Sequence, residues 1–194
     1  VSLDRPDLLV VGLDPSLSGT GLAFVRMLAE PDVLTITSPP VPNAKYPPTM
    51  ARLRKIVREV LAAVAVHRLE GDIVVVVMEG PAFASTTGLA HVRGGLWWLL
   101  YHMLEKDCLM VVIEPSKLKR YVTGKGNAPK EVMFATTVRN FPRVGIMNNN
   151  ESDALGLACM AARELGIPQE PSTNRVTPAA LEGVDWPAQL TQRR

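Results

Sequence analysis

Leu8-Leu9-Val10-Val11-Gly12-Leu13-Asp14, running into Pro15-Ser16-Leu17-Ser18-Gly19-Thr20-Gly21, decides how the rest of the chain is read. A run of branched apolar residues reads as a buried strand. This one closes on a carboxylate, which has no ordinary packing role there because strand interiors rarely tolerate unpaired charge. The glycine-containing stretch after it is turn chemistry, and further strands are predicted from Leu22 to about Leu28 and near Val33–Thr37. The same signature recurs at Ile73-Val74-Val75-Val76-Val77-Met78-Glu79, a run apolar on both faces, as a central strand covered by helices requires. A third acid, Asp153, lies in the first turn of a helix that continues Ala-Leu-Gly-Leu-Ala-Cys-Met-Ala-Ala. Three such carboxylates converging would repel one another and raise their own pKa values unless cations neutralise them. Asp14, Glu79 and Asp153 therefore read as candidate ligands of a divalent metal.

Working outward, Met50, Leu53, Val57, Val60, Leu61 and Val64 recur at three- and four-residue steps, predicting an amphipathic helix over 49–68. A second helix is expected over 86–105 and a fifth strand over Leu109–Ile113. Glu114-Pro115-Ser116 opens a short helix ending near Thr123-Gly124, and Asn127 reads as the N-cap of the next, with Pro129 in its first turn. The last helix begins near Asn150 and stops at Gly166, a natural C′ residue. This order, βββ-α-β-α-β-α-α-α, predicts an α/β fold: a five-stranded mixed sheet with helices on both faces. Residues 1–166 read as one domain, and 167–194 as a proline-containing tail that wraps on the surface or stays partly disordered.

Composition excludes several classes. The chain has 194 residues, 47% apolar and 21% charged, as a soluble globular domain does. No apolar run approaches the roughly 18 residues of a membrane span, and the first residues lack the layout of a secretory signal, so a cytoplasmic protein is expected. Cys108 and Cys159, far apart in apolar contexts, read as reduced thiols. His67, His91 and His102 form no zinc-ligand spacing with them. The net charge of +2 says little, but bases cluster locally: Lys117, Lys119, Arg120, Lys125 and Lys130 fall within one short stretch with few acids, a pattern suited to DNA phosphates. On the helix over 49–68, Arg52, Lys55 and Arg58 are expected to face water.

Several motifs in order carry a family resemblance. Gly12-Leu13-Asp14-Pro15-Ser16 with Gly19-Thr20-Gly21 comes first, then Val77-Met78-Glu79 and Arg93-Gly94-Gly95. Glu114-Pro115-Ser116 through Lys119, then Val122-Thr123-Gly124-Lys125-Gly126-Asn127-Ala128 with Lys130, is the most specific match. Ser152-Asp153-Ala154-Leu155 with Leu157-Ala158 completes the set. Together they resemble RuvC-type Holliday junction resolvases, small phage-encoded members in particular, over residues 8–165.

The resemblance implies an RNase H-like (retroviral integrase superfamily) fold and a homodimer that cuts Holliday junctions and other branched DNA, forks or flaps, by paired phosphodiester hydrolysis. It also implies two Mg²⁺ ions, for which Mn²⁺ substitutes, about 3.5–4 Å apart. Asp14 is expected to bridge them, with Glu79 and Asp153 beside it. The family places an acid or His three residues before the final Asp, where this chain has Asn150. Glu151 is the expected fourth ligand if it precedes the regular helix, with Asn150 as N-cap; otherwise it points roughly 200° away from Asp153. Lys125, between glycines, heads the implied DNA contacts, followed by Lys119, Lys130, Lys117 and Arg120.

Phe83 is placed either to stack on an unpaired base or to lid a helix end. Trp97, Trp98 and Tyr101 widen the apolar face of the second helix, as a dimer contact or a fully internal helix would require. A junction-binding architectural protein with weak catalysis, and an actin-like or sugar-kinase phosphate binder, are the alternative readings.

Overall fold

The computed structural model describes residues 7–40, 46–81, 89–170 and 178–191. β1 (Leu8–Asp14) pairs antiparallel with β2 (Gly19–Val25), which pairs antiparallel with β3 (Asp32–Thr37). On its other edge β1 runs parallel to β4 (Ile73–Glu79), and β4 parallel to β5 (Leu109–Ile113), giving one sheet ordered β3-β2-β1-β4-β5. The helices are α1 (Tyr46–His67), α2 (Ala90–Leu104), α3 (Pro115–Thr123), α4 (Lys130–Asn140), α5 (Asn149–Glu164) and the short α6 (Ala188–Thr191). The expected sheet, with helices on both faces, is the one observed.

Alternation along the strands divides the core in two. Leu8 and Val10 of β1, Val75 and Val77 of β4, and Val111 and Ile113 of β5 pack on the α5 side. Leu9, Val11 and Leu13 with Val74, Val76 and Met78 pack against Leu53, Ile56 and Val60 of α1 and Leu96, Leu100 and Leu104 of α2. All residues of β1 and β2 are buried, which explains their lack of polar alternation.

Several local expectations shift. β2 begins at Gly19, not Leu22, because Gly21 pairs with Asp14 across the hairpin. It ends at Val25, and Arg26 turns out of the sheet to the carboxylate of Asp72 (3.0 Å to Oδ1) and the carbonyl of His67 (2.6 Å). α4 is capped by Pro129 rather than Asn127, since the Ala128 N–H closes a turn on the Lys125 carbonyl (3.2 Å). α5 starts one residue early, with Asn148 as its N-cap in place of Asn150.

Arg52 does not face water: its guanidinium lies inward on Leu17 and Ser38. Cys159 is buried and Cys108 half-buried, both as free thiols. Among the described residues no helix is long and apolar enough to cross a membrane. Beyond α5, Ala180 and Leu190 are buried against the α5-side core.

Candidate active site

Register brings the first two acids together. Leu13 pairs with Met78 in the parallel β1–β4 ladder, so Asp14 and Glu79 lie one step further on, side by side at the strands' carboxyl ends. Both have the parity of the α5-facing residues Val10 and Val77, so both point to the α5 side. The third acid arrives on α5 because the sheet beneath it lacks side chains. A Cβ at Gly12 would stand 1.9 Å from the Ala154 carbonyl oxygen, and one at Gly21 2.1 Å from that of Asn150. Only glycine admits so close an approach, and it seats Asp153, the neighbour of Ala154, over the two strand ends.

Asp14, Glu79 and Asp153 line one cavity of about 220 Å³ with Pro115, Leu118, Lys119, Lys130 and Met133. Burial, then the charges of Glu79 and Asp153, push the Asp14 carboxyl well above the usual range, and a hydrogen bond to Glu79 holds its proton. Burial and the Asp153 charge raise Glu79 to about 7. Burial raises Asp153 to about 6 against the opposing pull of Lys130 and Lys119. The cleft thus gathers more negative charge than its two lysines offset, and in metal-free protein a proton between Asp14 and Glu79 relieves it.

Hard carboxylate oxygens in that state suit a hard divalent cation, which would take the proton's place. Among the described residues no three His, Cys, Asp or Glu side chains are drawn tightly enough together to close around one ion as they stand.

The family model for the crossover junction endodeoxyribonuclease RuvC matches residues 10–161. The chain belongs to the RuvC family. Members of that family depend on a divalent metal, in keeping with the donor set of the cleft. Two solved structures share the fold. The Thermus thermophilus RuvC structure superposes with a TM-score of 0.62 at 20% identity, covering 84% of this chain and 99% of that one. T. thermophilus RuvC in complex with Holliday junction substrate gives 0.60 at 19% identity, with the same coverages. No curated protein matches the sequence.

Glu151, the fourth acid expected from the RuvC resemblance, does not line this cleft. Its Oε1 accepts from Thr35 Oγ1 (2.8 Å) and Asn148 Nδ2 (3.1 Å), and its Oε2 from the Met147 N–H (2.7 Å). Asn148 Oδ1 in turn accepts from the Glu151 N–H at 3.1 Å. This resembles a capping box, except that the Glu151 carboxylate takes the backbone N–H of Met147, one residue before the cap, and the side-chain amide of Asn148. The Asn-x-x-Glu spacing of residues 148–151 was its sequence signal. Asn150 instead packs over β2, where a Cβ at Gly19 would stand 2.8 Å from its Nδ2.

The basic residues separate into three settings. Lys119 and Lys130 stand in the cleft with the carboxylates. Lys125 and Arg120 are exposed beside it in sequence, with Lys125 on a turn braced by Thr123. Lys117 is engaged elsewhere, donating its ammonium to the Glu182 carbonyl. Phe83 lies outside the described residues. Trp97, read earlier only as part of an apolar face, donates its indole N–H to the Glu79 carbonyl at 2.8 Å and so anchors the acid-bearing end of β4.

Proposed function

We propose that this chain cleaves branched DNA, four-way junctions above all, by metal-dependent phosphodiester hydrolysis that leaves 5′-phosphate and 3′-hydroxyl ends. The observation that carries the reading is the shared cleft of Asp14, Glu79 and Asp153 with Lys119 and Lys130 on its wall. The T. thermophilus complex, which shares the fold, supports a junction as substrate. Asp14, Glu79 and Asp153 would hold two Mg²⁺ or Mn²⁺ ions, whose chemistry is to acidify an attacking water and stabilise the departing 3′ oxygen.

The chain's own residues do the rest. Asp14, hydrogen-bonded to Glu79 and within the field of Asp153, is the acid common to both neighbours. The Lys119 and Lys130 ammonium groups offset carboxylate charge and attract the incoming phosphate. Lys125 and Arg120 extend that attraction along the strand, a contribution that weakens with salt. Lys117, bound to Glu182, has the smallest part in it.

Paired cuts need two sites related by symmetry. Trp98, 65% exposed on α2 and in edge contact with Trp97, supports a homodimer joined through that helix.

The test is a panel of labelled junctions, forks and flaps with Mg²⁺, comparing wild type with Asp14→Asn. Wild type should nick the junction symmetrically, and the variant should bind it without nicking. Equal nicking by both would remove the site assignment. Tight junction binding with no wild-type cleavage would favour an architectural protein, the reading that Asn150, in place of an acid, keeps in view.

A further inference from the structure

Arg52 spends a charged guanidinium on neutral oxygens. It is half-buried on α1, and its Nη2 donates to the Leu17 carbonyl and, at 2.6 Å, to the Ser38 carbonyl, while Nε donates to Ser38 Oγ at 3.2 Å. Taking such a group out of bulk water for carbonyl partners costs free energy, and the planar fork recovers it only when its acceptors are held in place. What those acceptors share is position. Leu17 is in the loop directly after Asp14, and Ser38 directly follows β3.

The same loop is pinned from within. Thr20, fully buried, donates from Oγ1 to the Ser16 carbonyl at 2.8 Å and accepts from the Ser16 N–H at 3.2 Å. The Ser18 carbonyl accepts from the Ser38 N–H at 3.1 Å. Successive carbonyls at 16, 17 and 18 thus each have a fixed donor from another element or from the base of β2. The hydroxyls of half-buried Ser16 and exposed Ser18 lie 3.5 Å apart, and Ser16 Oγ also accepts from the Ser18 N–H at 3.4 Å. Two residues of chain span at most about 7 Å, so Ser16 stands next to the catalytic cleft. The middle of this connection is thus held by a half-buried cation from α1.

We propose that Arg52 is a positioning residue of the cleavage reaction: it locks the loop 15–18 so that the Ser16 and Ser18 hydroxyls meet the DNA strand beside the scissile phosphate. The inference rests on the junction-cleaving reading above. Arg52 itself does not touch DNA. Its loss loosens the geometry in which the bound strand meets Asp14, leaving the basic residues that supply most of the affinity untouched.

The test compares Arg52→Met and Arg52→Lys with wild type and Asp14→Asn on a labelled four-way junction. Single-turnover cleavage, junction Kd across a salt series, and Tm are measured. Arg52→Met should cleave about 100-fold more slowly, the cost of an ångström-scale misplacement, with Kd within about twofold and an unchanged salt slope. Arg52→Lys keeps the charge and one of the carbonyl contacts, and should recover part of the rate. If Arg52→Met does not stay folded at the assay temperature, the Lys variant alone decides: a slower rate at unchanged Kd supports the proposal.

Cleavage at the wild-type rate by a folded variant overturns it. So does weakened binding with a salt slope reduced by about one, which would make Arg52 a phosphate contact. Failure of the wild type to cleave any junction would refute the underlying reading instead, and is seen before any variant is compared.

Discussion

Gly12→Ala tests the close seat of α5 that assembles the site. The added methyl would stand 1.9 Å from the Ala154 carbonyl oxygen and 2.9 Å from the Ala158 nitrogen, both backbone atoms with no rotamer to yield. To restore an ordinary carbon–oxygen contact of about 3.4 Å, α5 must retreat by about 1.5 Å. Asp153 directly precedes Ala154 and would be carried with it. Overpacking of this kind costs about 1–3 kcal/mol, a fall in Tm of roughly 2–12 °C for a chain of this length. An ångström of misplacement at a reacting centre costs about 100-fold in rate.

The assay pairs a thermal melt with single-turnover junction cleavage below the variant's Tm, so that lost activity is not lost fold. Gly145→Ala, where a Cβ meets nothing within 4 Å, is the control and should behave as wild type. Should Gly12→Ala melt and cleave as wild type does, the helix is not seated by that contact, and the account of how Asp153 reaches the strand ends fails.

Other consequences follow from the charges. Burial raises Glu79 from 4.5 to about 7, so the metal-free native state holds a proton that the unfolded chain has released. The stability tied to that proton, on the order of 3 kcal/mol, is fully present below about pH 4.5 and disappears as pH rises through about 7. Without divalent ions, Glu79→Gln should therefore gain stability relative to wild type between pH 5 and pH 8. A constant difference across that range would contradict a raised Glu79 carboxyl, and added Mn²⁺ should reduce the gain by stabilising the wild type.

Glu151→Ala should lower stability by about 1 kcal/mol through the lost carboxylate bonds to Thr35, Asn148 and the Met147 N–H, while leaving Mn²⁺ affinity, read by calorimetry, within about threefold; a loss of tenfold or more would restore it as a ligand. Asp72→Asn weakens the Arg26 pair and the acceptor for the Leu69 N–H (2.6 Å). It should cost about 2–3 kcal/mol in denaturant melts, with less than about 0.5 kcal/mol speaking for a solvent-screened pair.

How much of this was legible beforehand differs by kind of feature. Strand ends bearing acids could be read locally: a carboxylate closing Leu8–Leu13 or Ile73–Met78 stands out against its own neighbours, and strand period is a property of a few consecutive residues. The crossover order, and with it the mixed sheet, followed from segment types and connection lengths. Helix starts were read less well. Three consecutive asparagines, Asn148 to Asn150, are equivalent as caps by type, and it is the Glu151 N–H, donating to Asn148 Oδ1, that decides among them.

What the sequence alone determined was the cast: Asp14, Glu79 and Asp153, the sheet that bears two of them, and the basic stretch that follows. Tertiary structure decided who stands with whom. It turned Arg52 inward, drew Lys119 and Lys130 in beside the carboxylates, tied Lys117 to Glu182 and left Glu151 out of the cleft. The reason is physical. A residue's type and the local period of its segment are written in adjacent positions, whereas the direction of a long side chain depends on acceptors and charges brought from distant parts of the chain, and those exist only once strand register and the glycine-seated helix are in place.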